Sequence, residues 1–92
     1  MVVHIKIPTP LRNLTADKAS VEVAGVTVGE ALEALEQAHP GIYDKIVDGN
    51  GKVRRFINVY AGDDDVRFLD GLATPLKDGD EVSIIPAIAG GR

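Results

Sequence analysis

The sequence predicts an α+β fold in which one mixed sheet of four to five strands wraps a single amphipathic helix. Three observations carry that expectation. Only the stretch "TVGEALEALEQAH", Thr27 to His39, repeats its apolar residues convincingly at helical spacing. Short stretches at both ends and in the middle alternate apolar with polar residues, the period of a half-buried strand. Turn-forming pairs such as Asp48-Gly49 and Asn50-Gly51 punctuate the chain between them. A lone helix with one apolar stripe must bury it, and a sheet face is the partner this chain can supply.

Taken in order, "VVHIKIP" places Val3, Ile5 and Ile7 on one face and Val2, His4 and Lys6 on the other, which predicts a first strand over Val2 to Ile7, closed by Pro8 and Pro10. "SVEVAG" repeats the alternation with Val21 and Val23 inward, so the two runs form a hairpin across a loose loop that carries Leu11 and Leu14. The helix opens at Thr27, three residues before Glu30, the spacing at which a hydroxyl and a carboxylate satisfy free amides at a helix start. Val28, Ala31, Leu32, Leu35 and Ala38 make its stripe, and Pro40 ends it after about 18 Å at about 1.5 Å per residue.

A compact segment with Ile42, Tyr43, Ile46 and Val47 follows. "VRRFINVYAG" then predicts the third and longest strand, with both faces partly apolar and Ile57 and Val59 preferred inward. The turn-rich "GDDDVRFLDGLATPLKDGDE" has Val66, Phe68, Leu69, Leu72 and Leu76 as apolar anchors, with a short edge strand and one helical turn between Leu72 and Leu76. "VSIIPA" forms the last strand, Val82 and Ile84 on one face and Ser83 and Ile85 on the other, stopped by Pro86. First and last strands become parallel neighbours at the centre of the sheet. The chain divides into a domain over 1–86 and a slender tail over 87–92.

Composition narrows what such a domain does. A chain of 92 residues buries only about two-thirds of its unfolded surface, which favours a binding or carrier module over an enzyme with an internal site. The net charge of −4 argues against nucleic acid and anionic membrane as partners. With no cysteine there is no disulfide framework, thiolate nucleophile or cysteine metal site. No secretory signal or membrane-spanning run is visible, so a cytoplasmic location is expected.

The last stretch, "IPAIAGGR", ends in two residues without side chains and one cation. A glycine pair adds nothing to packing and carries the largest backbone entropy, so it suits a segment used by another protein. Together with "IPTPLR" at Ile7 to Arg12, "RRFINVY" at Arg54 to Tyr60, the "GDEV" turn at Gly79 to Val82 and the closing Pro-Ala-x-Ala-Gly-Gly, this ordered series resembles the ubiquitin-like β-grasp sulfur carriers. That family includes the small subunit of molybdopterin synthase and the thiamine-pathway carrier, and the likeness is greatest to its actinobacterial branch serving cysteine biosynthesis.

The resemblance implies a ubiquitin-like β-grasp fold and a carrier that catalyses nothing and binds no cofactor itself. An adenylyltransferase/sulfurtransferase of the ubiquitin-activating type would use ATP to adenylate the carboxylate of Gly91, which then becomes a thiocarboxylate. A pyridoxal-phosphate-dependent (PLP-dependent) cysteine synthase would accept the sulfur, and a zinc metallopeptidase of the JAMM type would release the product. Gly90 is the slender approach and Pro86, Ala87, Ile88 and Ala89 the linker; the stretch Ala87 to Gly91 reaches at most about 18 Å into a partner. Arg92 departs from the family pattern, because it locks the Gly91 carboxyl in an amide. Either the metallopeptidase trims Arg92 first, or the arginine is an added residue or the mark of a degenerated tail. A ubiquitin-like protein modifier and a molybdopterin-synthase small subunit are the alternatives on the same fold.

Phe56, Tyr60, Ile85 and Arg54 are the candidate face for docking the partner, since aromatic residues and arginine are common interface anchors; ordinary core filling is the competing role. Asp63, Asp64 and Asp65 lack the spacing of a calcium loop and are expected in a solvated turn. His4 and His39 have no companion at a metal-ligand spacing. Gly49, Gly51 and Lys52 lack the full phosphate-loop pattern, and Arg54, Arg55 and Arg67 are too few for a nucleic-acid surface.

Overall fold

The computed structural model describes residues 2–86. Strand β1 (Val2–Lys6) pairs antiparallel with β2 (Ser20–Ala24), from Val2 opposite Ala24 to Lys6 opposite Ser20. Helix α1 (Val28–Ala38) and the single turn α2 (Tyr43–Ile46) follow, then β3 (Ile57–Ala61), β4 (Asp64–Asp65) and β5 (Glu81–Pro86). Short 3-10 turns stand at Thr9–Leu14, Val66–Phe68 and Gly71–Ala73. The sheet order is β2-β1-β5-β3-β4, with β1 and β5 parallel and the other pairs antiparallel. The chain is a β-grasp α+β domain, and the expected central parallel pair is present.

Each element forms for a local reason. In β1, β2 and β5 the inward residues Val3, Ile5, Val21, Val23, Val82 and Ile84 are buried while their neighbours are not, the period-two pattern of the sequence. Helix α1 starts where the Thr27 hydroxyl accepts the Glu30 N–H at 3.2 Å; Glu30 Oε1 reaches back to accept from Val26 N–H at 3.3 Å. Val28, Ala31, Leu32 and Leu35 pack onto the sheet, joined by Ile42, Ile46 and Val47 from the next segment and by Ile57 and Val59 from β3. Gly25 is required where β2 runs into the helix. A Cβ there would stand 2.8 Å from the backbone nitrogen of Ala31.

Three expectations need correction. The run Val53 to Gly62 does not form one long strand: Val53 makes only an isolated bridge with Val47, and Arg54 to Ile57 is a turn closed by Ile57 N–H to the Arg54 carbonyl at 3.0 Å. Backbone pairing starts at Ile57 because the preceding residues are held by α2, where Arg54 N–H donates to the Ile46 carbonyl at 2.9 Å. β5 is the longest strand instead. Ala38 is exposed, and the buried stripe of α1 ends one position earlier on that face, at Leu35. Of the five anchors between β4 and β5, Val66 and Leu76 are buried and Leu72 packs against the core, but Phe68 and Leu69 face outward: at three residues per turn Phe68 points away from Val66, and Leu69 has already left the turn at φ −115°, ψ −133°.

Candidate functional site

The expected tail begins where β5 ends, and the hydrogen-bond register shows how that end is held. On the β1 side the parallel ladder opens with His4 N–H to the Asp80 carbonyl at 2.9 Å, with His4 opposite Glu81 and Lys6 opposite Ser83. Continued along the strands, its next donors would be the nitrogens of Pro8 and Pro86, and neither carries a hydrogen. The ladder stops there. On the β3 side, Gly62 N–H donates to the Glu81 carbonyl at 2.9 Å, which makes Tyr60–Ser83 and Asn58–Ile85 the hydrogen-bonded pairs and leaves Ile57–Pro86 a non-bonded one. The base of the tail is thus fastened to β3 through Asn58.

β4 covers only Tyr60 and Ala61, so the outer edge of β3 at Ile57 has no strand beside it. The side chain of Arg67 occupies that edge. Its Nη2 donates to the carbonyls of Ile57 at 2.6 Å and Arg54 at 2.5 Å, and its Nη1 to Asn58 Oδ1 at 2.7 Å. Asp65 prepares the arginine by accepting its backbone N–H at 2.8 Å, with a carboxylate oxygen 3.9 Å from Nη1. Sequence reasoning counted Arg67 only among scattered cations.

Of the predicted docking residues, Tyr60 and Ile85 share the outer face of the sheet as diagonal neighbours, and Ile85 is 46% exposed. Phe56 lies at the end of that face, in the turn before β3, with 70% of its surface exposed. It is not core. The Arg55 guanidinium sits over its ring at 5.6 Å. Arg54 donates Nε to the Asp44 carbonyl at 2.6 Å and, with Lys45, Arg55 and Phe56, lines a groove beside Ile57. Phe68, 86% exposed, was missed as a surface residue because apolar character alone suggested an anchor. Elsewhere the outer face carries ion pairs beside an exposed Val2, with His4 3.5 Å from Glu22 and Lys6 3.4 Å from Glu81. Pro86 is described; Ala87, Ile88, Ala89, Gly90, Gly91 and Arg92 lie outside the described residues.

On the opposite side, the Glu36 carboxylate accepts N–H bonds from Gly41 at 3.0 Å and Tyr43 at 2.9 Å, and these, Gly41 foremost, lower its pKa. The Asp48 carboxyl is lowered in the same way by the N–H groups of Lys52 and Asn50, which fixes the turn before β3. Burial, reinforced by Glu33, raises the phenol of Tyr43. Among the described residues no three histidine or acidic side chains group as metal ligands, and no helix is long and apolar enough to cross a membrane.

Comparison with known proteins bears on this arrangement. Residues 5–91 match the ThiS family. The sulfur carrier protein CysO of Mycobacterium tuberculosis is 46% identical over 99% of this chain and 100% of its own length. The crystal structure of the Amycolatopsis orientalis BexX/CysO complex contains a chain that is 48% identical and superposes with a TM-score of 0.91, covering 97% of this chain and 99% of that one. Small archaeal modifier protein 3 of Haloferax volcanii is 42% identical over 71% of this chain and 70% of its own.

Proposed function

The chain belongs to the ThiS family and is a sulfur carrier, and from that premise we propose that Gly91 carries the sulfur and that the domain serves as co-substrate of the enzymes that load and unload it. A carboxylate resists nucleophiles until one oxygen becomes a leaving group. The Gly91 carboxylate attacks the α-phosphorus of ATP in an activating enzyme and pyrophosphate leaves. Sulfur at the hydrosulfide level then attacks the acyl carbon, AMP departs, and a thiocarboxylate remains.

Any residue following Gly91 must be cut away first, which in this chain is Arg92; a zinc metallopeptidase of the JAMM type is the proposed agent. A PLP-dependent cysteine synthase is the proposed acceptor, in keeping with the likeness to CysO. Activation draws on ATP, which places the cycle in the cytoplasm. Phe56, Tyr60 and Ile85 form the face that docks on the activating enzyme, while Gly90 and the linker Pro86 to Ala89 reach its centre. A CysO of this fold has been crystallised in complex with BexX, which supports docking of the folded domain as a unit.

The single observation that carries the reading is the family match running through Gly91 behind a strand whose ladder stops at Pro86. Intact mass spectrometry tests it. After incubation with the metallopeptidase, then ATP, sulfide and activating enzyme, the protein loses one arginine and exchanges one oxygen for sulfur. Retention of Arg92 with no exchange refutes it. The likeness to a small archaeal modifier protein favours a second reading, in which Gly91 is joined to lysines of other proteins; a ladder of covalent conjugates on a denaturing gel is its signature.

A further inference from the structure

The register leaves the last part of β5 dependent on β3 alone. Beyond Ile84 the β1 side offers no donor, because both positions that would continue the ladder are proline, and the remaining bonded rung is Asn58–Ile85. β3 at this rung has no backbone neighbour on its outer edge, since β4 stops at the level of Tyr60. On that outer edge, apart from the Ile57 N–H bond to the Arg54 carbonyl, Ile57 and Asn58 are held by one side chain from another element. Arg67 bonds the Ile57 carbonyl, the Asn58 side-chain oxygen and the Arg54 carbonyl, so a single planar group ties the last rung to the turn that presents Phe56.

We propose that Arg67 is a positioning residue for sulfur loading: by holding Ile57, Asn58 and Arg54 together it sets the line along which β5 delivers the tail relative to the docking face. The proposal rests on the sulfur-carrier reading and adds a residue whose described bonds are to Arg54, Ile57, Asn58 and Asp65. Arginine suits the role because its fork of N–H donors is rigid and remains charged at any working pH. Lysine keeps the charge but places a single ammonium on a flexible stem, and cannot reproduce three bonds in fixed directions.

Arg67→Lys and Arg67→Gln in the whole chain give the test, with two readouts. Residue-resolved amide hydrogen exchange should show the N–H groups of Asn58 and Ile85 exchanging on the order of tenfold faster in both variants, with those of Val21 and Val23 unchanged. Uniform acceleration of all four would mean that Arg67 merely stabilises the fold, and no change would mean that it holds nothing; either result overturns the proposal. In steady-state adenylation of the carrier with its Gly91 carboxylate free, kcat should fall on the order of tenfold while KM stays within about twofold. A raised KM at unchanged kcat would make Arg67 part of the docking surface and would also overturn it. If the wild-type chain is never adenylated, the sulfur-carrier chemistry fails, and the exchange pattern alone then decides whether Arg67 aligns the strand.

Discussion

On one flank of the central β1–β5 pair, β2 runs the full length of β1 and its rungs are backbone from Val2–Ala24 to Lys6–Ser20; on the other, β4 meets only Tyr60 and Ala61 of β3, and a guanidinium completes the edge. Both flanks put apolar residues into the same core. Val21 and Val23 do so on β2, and Ile57 and Val59 on β3. They differ in what they do with the outer surface, since the β2 flank pairs His4 with Glu22 there while the β3 flank leaves Tyr60, Ile85 and Phe56 accessible. A fully laddered flank anchors the fold, and a flank finished by side chains can be shaped for a partner without unpicking the sheet.

The comparison breaks most directly if the two flanks do not share one core. Ile5 is fully buried on β1 between them, so Ile5→Ala should cost roughly 2–5 kcal/mol of unfolding free energy in denaturant melts, with both flanks lost in one transition. Separate transitions for the two flanks would show that they are independent units. Replacing Phe56 sharpens the contrast: Phe56→Ser should leave stability within about 0.5 kcal/mol yet weaken binding to the activating enzyme by roughly 1–2 kcal/mol, measured by calorimetry. Equal affinity for both proteins would remove Phe56 from the docking face.

The smallest effect lies away from both flanks. Because the folded state lowers the pKa of Glu36, its carboxylate contributes stability above the ordinary carboxylate range, and that contribution is lost as pH falls through about 4 and below. Acid titration of unfolding should therefore be shallower in Glu36→Gln than in wild type. Identical slopes would show that the Gly41 and Tyr43 bonds do not couple to folding.

Much of this fold is legible in the sequence, because wherever one face of an element is buried, period and burial coincide. Val3-His4-Ile5 and Val82-Ser83-Ile84 alternate inside and outside as read, and Thr27 with Glu30 marks the helix start. Errors fall where a distant contact outweighs local pattern. Val53 to Phe56 has strand-like composition, yet Ile46 and Asp44 claim Arg54 and turn the chain aside. Phe68 looked like an anchor since hydrophobicity does not reveal direction in a three-residue turn.

For the site, the aromatic candidates could be read from residue type, with Phe56 and Ile85 exposed and Tyr60 half-buried on the same region of the surface. Arg67 could not, because its three acceptors come from Arg54, Ile57 and Asn58, and only the register of β3 and the shortness of β4 bring them within reach. Pro8 and Pro86 were visible as strand stops. That they silence the same ladder becomes apparent only once β1 and β5 are aligned.

Two absent hydrogens at matching heights act as an insulating gap between folding and use. Since β1 cannot recruit Pro86, substitutions farther along the chain do not propagate into the core by that route. The carrier's address label can thus diverge with the enzymes that read it, while the body that bears it keeps its architecture.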